Sequence, residues 1–589
     1  MPVRDIIDNC CGAIERSPDL VNKFLLHTIL LLTWLLLGAV LRVTNLEAKP
    51  PWSDEWATLV FSLGHSFRTV PLDRVISLNT LLAPLQLDPT TNVRDVVNNL
   101  LTESTHPPVY FVLTHWWLKL FSSDTGLVSI WWGRLLSAIF GVLAIPAMFG
   151  WGWLLSRSLI CAQLAAALMA VSPFGVYLSQ EARHYTLAIL LAIASLSFLL
   201  VAIRNIKQKR SIAIALVLTW IVVNSLGVAT HYFFGLTLVA EIIVLASVWF
   251  NSIRVDSKAI LAKYWQRIYW AIAGTISGCS IWVWVSLWRS IPGDDLTSWV
   301  FDGNPLAEFY QPLLRLLIWL ITMVFLLPIE GVPESIAIIS GVILLSFIVW
   351  SLPDWLRGIR ANNSPQMRLG ITVLTRFLLS AIALILAATY VFGADLTLSA
   401  RFQFGYFPAV LLLLAISLSY LWQESKYKYF FNKNRVLVVL TLVLATLGST
   451  TIITNFAFQK VERPDLVAPV IFEAHQQVSY DTPVLIATLH QTHGQTGEMM
   501  SIGWQFQKLL DREQIDWQPQ FLLAHRETAN AALERAIVAM PRPFQLWLVN
   551  FSEAREIAAR KCIDRDEQYR ATGYRYQLYQ CNSSVNIKH

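Results

Sequence analysis

The sequence predicts a polytopic all-α membrane protein of about 11 transmembrane helices with a C-terminal extracytoplasmic α/β domain. Three observations predict it. Long, nearly uncharged runs recur from residue 24 to about 455, several of them the length that crosses a bilayer. Only 14% of the 589 residues are charged and the mean hydropathy is +0.51, where a soluble chain carries roughly 25% charge. After residue 456 the composition turns mixed and strand-like runs appear. The net charge of +6 is modest. Basic residues in such a chain orient its segments in the membrane and give no argument for nucleic acid.

Residues 1–23 read as a cytoplasmic N-terminal tail. The first apolar run, 24–41, is about as long as a spanning helix and no small-residue cleavage site follows it, so it reads as a retained span and not a signal peptide. Hydropathy gives thirteen candidate spans, of which two stand apart: 106–121 holds His115 and Lys119, and 312–329 holds Arg315 between prolines. If these two lie along the outer face, the basic loops 204–210, 251–267, 353–370 and 422–435 all fall inside, as the excess of Lys and Arg in cytoplasmic loops requires. If all thirteen cross, 204–210 and 251–267 fall outside. The first reading places spans at about 24–41, 130–155, 159–178, 184–203, 211–229, 233–250, 268–289, 334–352, 371–392, 403–421 and 436–455; thirteen is the alternative count.

In that topology 24–455 is the membrane domain and 42–129 is one long outer loop. Within the loop, Trp56, Leu59, Val60, Leu63 and Phe67 recur at helical spacing, the pattern of a helix lying in the interface plane. The tail, 456–589, carries strand-like runs at 483–489, 544–551 and 574–581 and helix-like stretches near 501–511, 527–539 and 552–561, which together read as a small outer-face α/β domain. Its cysteines, Cys562 and Cys581, can pair if that domain is exported.

The chemistry concentrates in the outer loops. Asp54 and Glu55 sit side by side between Trp52 and Trp56. Acids there complement a helix dipole, the plain explanation, but other unusual polar groups fall on the same predicted face: Glu181, Arg183, His184 and Tyr185 in "SQEARHY", His231 in "THYFF", Arg401 in "SARFQF", and His106 before a Pro-Pro pair. A lipid-linked donor would set its phosphate near the head-group plane. Moving its sugar to a hydroxyl or amine needs a base near the acceptor, which a carboxylate supplies. It also needs fixed positive charge at the departing phosphate, which arginine supplies. Arg401 is the first phosphate candidate and Arg183 the second; snorkelling is the plain reading of Arg401, and pairing with Arg183 that of Glu181. The acids and histidines, Asp54, Glu181 and His106 among them, are candidates for a divalent metal, although their spacing follows no metal motif. The rival class is a transporter or flippase for a lipid-linked or anionic substrate, whose site would sit near mid-span; Glu241, inside an apolar run, is the acid that fits it.

The order of motifs then carries a resemblance. "PWSDEW" (51–56) is followed by "HPPVYF" (106–111), "GRLLSAIFGVLAIP" (133–146), "SPFGVYLSQEARHYTL" (172–187) and "ARFQFGYFPAV" (400–410). Over about residues 20–420 this resembles the integral-membrane GT-C glycosyltransferases of the protein O-mannosyltransferase and lipid A aminoarabinose transferase type. The resemblance implies an inverting transfer from a polyprenyl-phosphate sugar to a lipid, glycan or protein acceptor, at the outer face of a bacterial inner or plasma membrane. By position it implies catalytic roles for Asp54 and Glu55 and a donor-phosphate contact from Arg401, and it matches Glu181, Arg183 and His106 to elements of the same site; a phosphate contact from Arg183 and substrate contacts from Glu181, His106, His184, Tyr185 and His231 follow from their place in the outer loops. The chain departs from the pattern at Arg401-Phe402, where many relatives have Arg-Tyr. It also has no insert between its later spans of the kind that eukaryotic protein mannosyltransferases carry.

Overall fold

The computed structural model describes residues 18–121, 126–256, 258, 261–287, 298–301, 303, 305–361, 364–424, 432–479 and 481–582. Most of the expected tail 1–23 and part of the basic loop 422–435 lie outside them. In chain order the helices are α1 (Pro18–Val43), α2 (Ser53–Ser62), α3 (Leu78–Leu82), α4 (Val93–Glu103), α5 (Val109–Phe121), α6 (Ile130–Ser156), α7 (Leu159–Val171), α8 (Pro173–Ser179), α9 (Tyr185–Lys207), α10 (Ile214–Thr230) and α11 (Phe234–Val255). There follow α12 (Lys263–Leu287), α13 (Tyr310–Thr322), α14 (Glu334–Arg360), α15 (Pro365–Val391), α16 (Phe407–Gln423), α17 (Lys433–Ile453), α18 (Pro464–Gln476), α19 (His493–Glu513), α20 (Ala529–Ala539) and α21 (Arg555–Lys561).

Seven helices among the described residues are long and apolar enough to cross a bilayer: α1, α6, α9, α11, α14, α15 and α17. The pair α7–α8, bent by 54°, makes an eighth. The other expected spans fall on α10 and α16, apolar but 17 residues each, and on α12. The protein is a polytopic helical membrane protein with a C-terminal domain that holds strands. The two disputed segments form α5 and α13, of 13 residues each. At 1.5 Å per residue each is about 20 Å long, short of the roughly 30 Å of hydrocarbon.

The bend between α7 and α8 has a chemical cause. Pro173 has no N–H to continue the ladder, which frees carbonyls of the preceding turn. Arg42, at the end of α1 and fully buried, donates to the carbonyls of Met169 (2.8 Å) and Ala170 (3.0 Å). Ser172 restarts the chain by accepting the Gly175 N–H (3.0 Å).

The C-terminal region folds around a six-stranded sheet of order β1-β3-β2-β4-β6-β5. Its strands are β1 (Val75–Ser77), β2 (Val484–His490), β3 (Gln520–His525), β4 (Phe544–Val549), β5 (Ile563–Ala571) and β6 (Tyr574–Cys581). The centre, β3-β2-β4, is parallel, and β1, β6 and β5 add antiparallel. β1 comes from the 42–129 loop, pairing Val75 with Leu522. The loop and the tail therefore share one sheet. They share a core as well: Trp56, Leu59, Val60 and Phe61 pack in one cluster with Met499, Met500, Phe506 and Trp547. This corrects the expectation of a helix lying in the interface plane. Every residue of α2 from Glu55 to Ser62 is buried, under α19 and not against lipid.

A disulfide joins Cys562, after α21, to Cys581 at the end of β6, closing a loop with a sequence separation of 19. Opening a loop of that size by Cys562→Ser is expected to cost about 3 kcal/mol on the chain-entropy account, read as a lower denaturant midpoint of the oxidised protein. An unchanged midpoint would mean that the bond does not form.

Candidate active site

Asp54 lies in the first turn of α2, and the C-terminal domain fixes that turn. Trp52 in the cap position offers no side-chain acceptor. Glu462 takes its place, accepting from the Ser53 N–H (3.0 Å) and the Ser53 hydroxyl (2.6 Å). Gly497 of α19 packs so closely on this turn that a Cβ there would stand 3.1 Å from Ser53 Cα. One turn on, Trp56 Nε1 donates to Ser501 Oγ at 2.7 Å.

Two guanidiniums converge on the Asp54 carboxylate. Arg401 donates to its Oδ2 directly. Arg183 lies 3.6 Å from the same oxygen and donates to the Asp54 carbonyl (2.8 Å) and to Thr58 Oγ1 (3.0 Å). Burial pushes the Asp54 carboxyl up, but Arg401 and Arg183 together outweigh it and hold it below the ordinary carboxylate value. Arg401 sits between the rings of Trp52 (5.1 Å) and Trp299 (5.0 Å), a desolvated position that strengthens its cation–π contacts. This end of the cluster is open: the side chains of Asp54 and Arg401 keep 29% and 17% of their surface exposed.

Behind the pair lies a floor of imidazoles. His106 Nε2 accepts from Arg183 Nη2 at 3.0 Å, so its proton sits on Nδ1, which faces Ser104 Oγ at 3.1 Å. Burial, then Arg183, pushes His106 down to about 3; it is a neutral ring that orients Arg183. His184 is fully buried between the rings of His106 (5.6 Å) and His231 (4.4 Å), and neither of its nitrogens has a protein partner. Tyr185 is buried beneath Arg183, whose Nε reaches its hydroxyl at 3.4 Å.

The remaining acids are engaged elsewhere. Glu55 is fully buried and forms a two-pronged pair with Arg134, Oε1 to Nε at 2.7 Å and Oε2 to Nη2 at 2.8 Å. Its Oε1 also takes the Ala182 N–H (2.8 Å), and Lys460 stands 3.5 Å from Oε2. Both Glu55 oxygens are thus engaged and turned away from the open face, the geometry of an anchor for α2. Glu181 is bound by Lys460 and not by Arg183.

Sequence reasoning missed Lys460, Arg134, Glu462 and Trp299. Arg134 did carry a signal, since an arginine inside an apolar run demands a buried partner. Lys460 is 2% exposed at its side chain and stands over the rings of Trp52 (5.6 Å) and Tyr177 (5.7 Å). Lys49 faces Tyr177 too, at 5.6 Å, and burial followed by the nearby Lys460 lowers it to about 7.

The donor set does not suit a divalent metal. Among the described residues no three His, Cys, Asp or Glu side chains group as a metal site. Of the three candidates, Asp54 and His106 accept from guanidiniums and Glu181 from an ammonium, so a cation would enter a pocket already positive.

No family model matches the chain, and no curated protein matches it. Among solved structures it is similar to ArnT from Cupriavidus metallidurans bound to undecaprenyl phosphate, with 12% identity, a TM-score of 0.46, and 96% of this chain and 98% of that one covered. It is similar also to the Archaeoglobus fulgidus oligosaccharyltransferase in its apo form, with 12% identity, a TM-score of 0.43 and 89% and 69% covered. A third is the archaeal oligosaccharyltransferase AglB from the same organism, in complex with an inhibitory peptide and a dolichol-phosphate, with 13% identity, a TM-score of 0.43 and 96% and 75% covered.

Proposed function

We propose that the protein is an inverting glycosyltransferase that moves a sugar from a polyprenyl-phosphate donor to a lipid, glycan or protein acceptor at the extracytoplasmic face of the membrane. The observation that carries this reading is the partly exposed Asp54 carboxylate held between Arg401 and Arg183 at the ends of apolar helices. The order of motifs, with its resemblance to GT-C transferases, agrees with it. In the resting protein Asp54 is ionised and tied to Arg401. The donor's phosphate, with more charge and better-spaced oxygens, draws Arg401 to itself. Asp54 is then free to accept the proton of the acceptor's hydroxyl or amine as that atom attacks the anomeric carbon. The bond from that carbon to the phosphate oxygen breaks, and the lipid phosphate leaves with the electron pair beside Arg401.

A transporter is less well supported. The ionised cluster occupies helix ends and connections: Asp54 starts α2, Arg183 lies between α8 and α9, Arg401 precedes α16 and Lys460 follows α17. Transport sites lie near the bilayer midplane.

Mass spectrometry of lipid extracts from cells lacking the protein tests the reading. A polyprenyl-phosphate sugar should accumulate while one envelope component loses that sugar; unchanged extracts refute transfer. Arg401→Ala is expected to weaken binding of polyprenyl phosphate to the purified protein by about tenfold or more, the loss of a charge-assisted contact worth ~1.5–3 kcal/mol. Unaltered affinity would leave Arg401 as an interfacial anchor.

A further inference from the structure

Glu241 takes no part in the site above. It lies on α11, seven residues beyond Phe234 and so about 10 Å inside that helix, and only 2% of it is exposed. Its surroundings are short of hydrogen-bond donors. Ser195 Oγ on α9 has one proton, within reach of both Asn224 Oδ1 (2.7 Å) and Glu241 Oε2 (3.0 Å), while it accepts the Trp220 Nε1–H (3.1 Å). Asn224 gives an N–H to Thr275 Oγ1 on α12 at 3.2 Å. Glu241 Oε1 has no partner in the protein. A carboxyl oxygen left bare in hydrocarbon is costly, and acids at this depth mark binding or transfer sites.

The Glu241 side chain is part of the wall of a cavity of about 40 Å³ between α10, α11 and α12, whose polar side it shares with Asn224, Thr275 and Trp220. At its rim Ile242 and Ile276 are 42% and 59% exposed on the outer surface of the bundle, where lipid lies. A single water needs roughly 10–15 Å³. The space therefore holds two or three small groups, such as a terminal hydroxyl or amine with its carbon, while bulkier groups attached to them stay in the lipid at its rim. We propose that this cavity is a lateral, lipid-facing site for the hydroxyl or amino group of a membrane amphiphile, with the Glu241 carboxyl as acceptor.

Labelling of the purified protein with the apolar reagent dicyclohexylcarbodiimide, followed by peptide mass spectrometry, tests this without reference to sugar transfer. Glu241 should be modified, Glu241→Gln should abolish that adduct, and dodecanol or dodecylamine should slow modification several-fold while dodecane does not. Protection by the alcohol alone, the amine alone or both supports the site and names the group it takes. Absence of modification, no protection by either compound, or equal protection by dodecane overturns the proposal and leaves a packing contact or a water-filled gap.

Discussion

Asp54→Asn is expected to reduce sugar transfer by about 10²–10⁴-fold, the range general acid–base catalysis contributes, while the protein still binds polyprenyl phosphate and stays folded at the assay temperature. The amide keeps the shape and one oxygen for Arg401 but cannot take a proton. Loss of activity without loss of donor binding separates a base from a structural anchor, and retained transfer would remove Asp54 from the chemistry. The pH profile adds a second test. Arg401 and Arg183 hold Asp54 below its usual value in the free protein, so it stays ionised down to acid pH and the acid limb of kcat/KM, which reports the free enzyme, falls there. If the donor draws Arg401 away, the carboxyl loses one of the charges that depress it and its pKa rises. The acid limb of kcat, which reports the complex, should then lie at higher pH than that of kcat/KM. Coincident limbs would show that Arg401 does not change partners.

The readability of this site from sequence followed the distance over which each contact acts. Asp54, Arg183, Arg401 and His106 stand out because each is a charged or titratable group in a connection between apolar runs, where its cost is visible locally. Lys460 is not legible: its partner Glu181 is 279 residues away, and "FQKVERP" reads as an ordinary linker. Glu462 is hidden in the same stretch. Helix positions were legible because lipid demands unbroken apolar runs, and β2, β4 and β6 because each carries enough apolar residues to show a strand pattern. β1 is three residues long, too short for any period, and exists only because β3 offers an edge. β5, "IDRDEQYRA", is charged as edge strands often are, which masks it as a loop. The misreading of α2 has the same origin. Its apolar stripe is real, but a sequence does not say whether lipid or a domain encoded more than 400 residues later covers it.

Arg134→Met is expected to have the largest effect on stability, about 3–5 kcal/mol, because removal of one partner leaves the other charge buried and uncompensated. Arg134 does more than pair with Glu55: it also donates to the carbonyls of Leu46 (2.7 Å) and Lys49 (2.9 Å), tying the end of α1 and the approach to α2 onto α6. Burial pushes the Glu55 carboxyl up, but Arg134 and Lys460 outweigh it and bring it from 4.5 to about 2. A depressed carboxylate stabilises the fold above its unfolded value, and that contribution is lost as pH falls from about 4.5 toward 2. The parent should therefore lose melting temperature steeply in that window, and Arg134→Met, in which Lys460 is the cation left beside Glu55, less steeply. Glu55→Gln separates structure from chemistry at this position. Its amide oxygen can still accept from the Ala182 N–H, but its NH₂ faces the Arg134 guanidinium, so the protein should melt lower while the folded fraction transfers sugar at close to the parent rate. A Glu55→Gln protein that melts like the parent yet transfers nothing would return Glu55 to the reaction. Asp54→Asn is expected to behave in the opposite way, dead with a much smaller loss of stability, because its carboxylate is partly exposed. Together the two variants divide adjacent carboxylates, one residue apart on the same turn, into one that meets substrate and one that holds the helix on which it is presented.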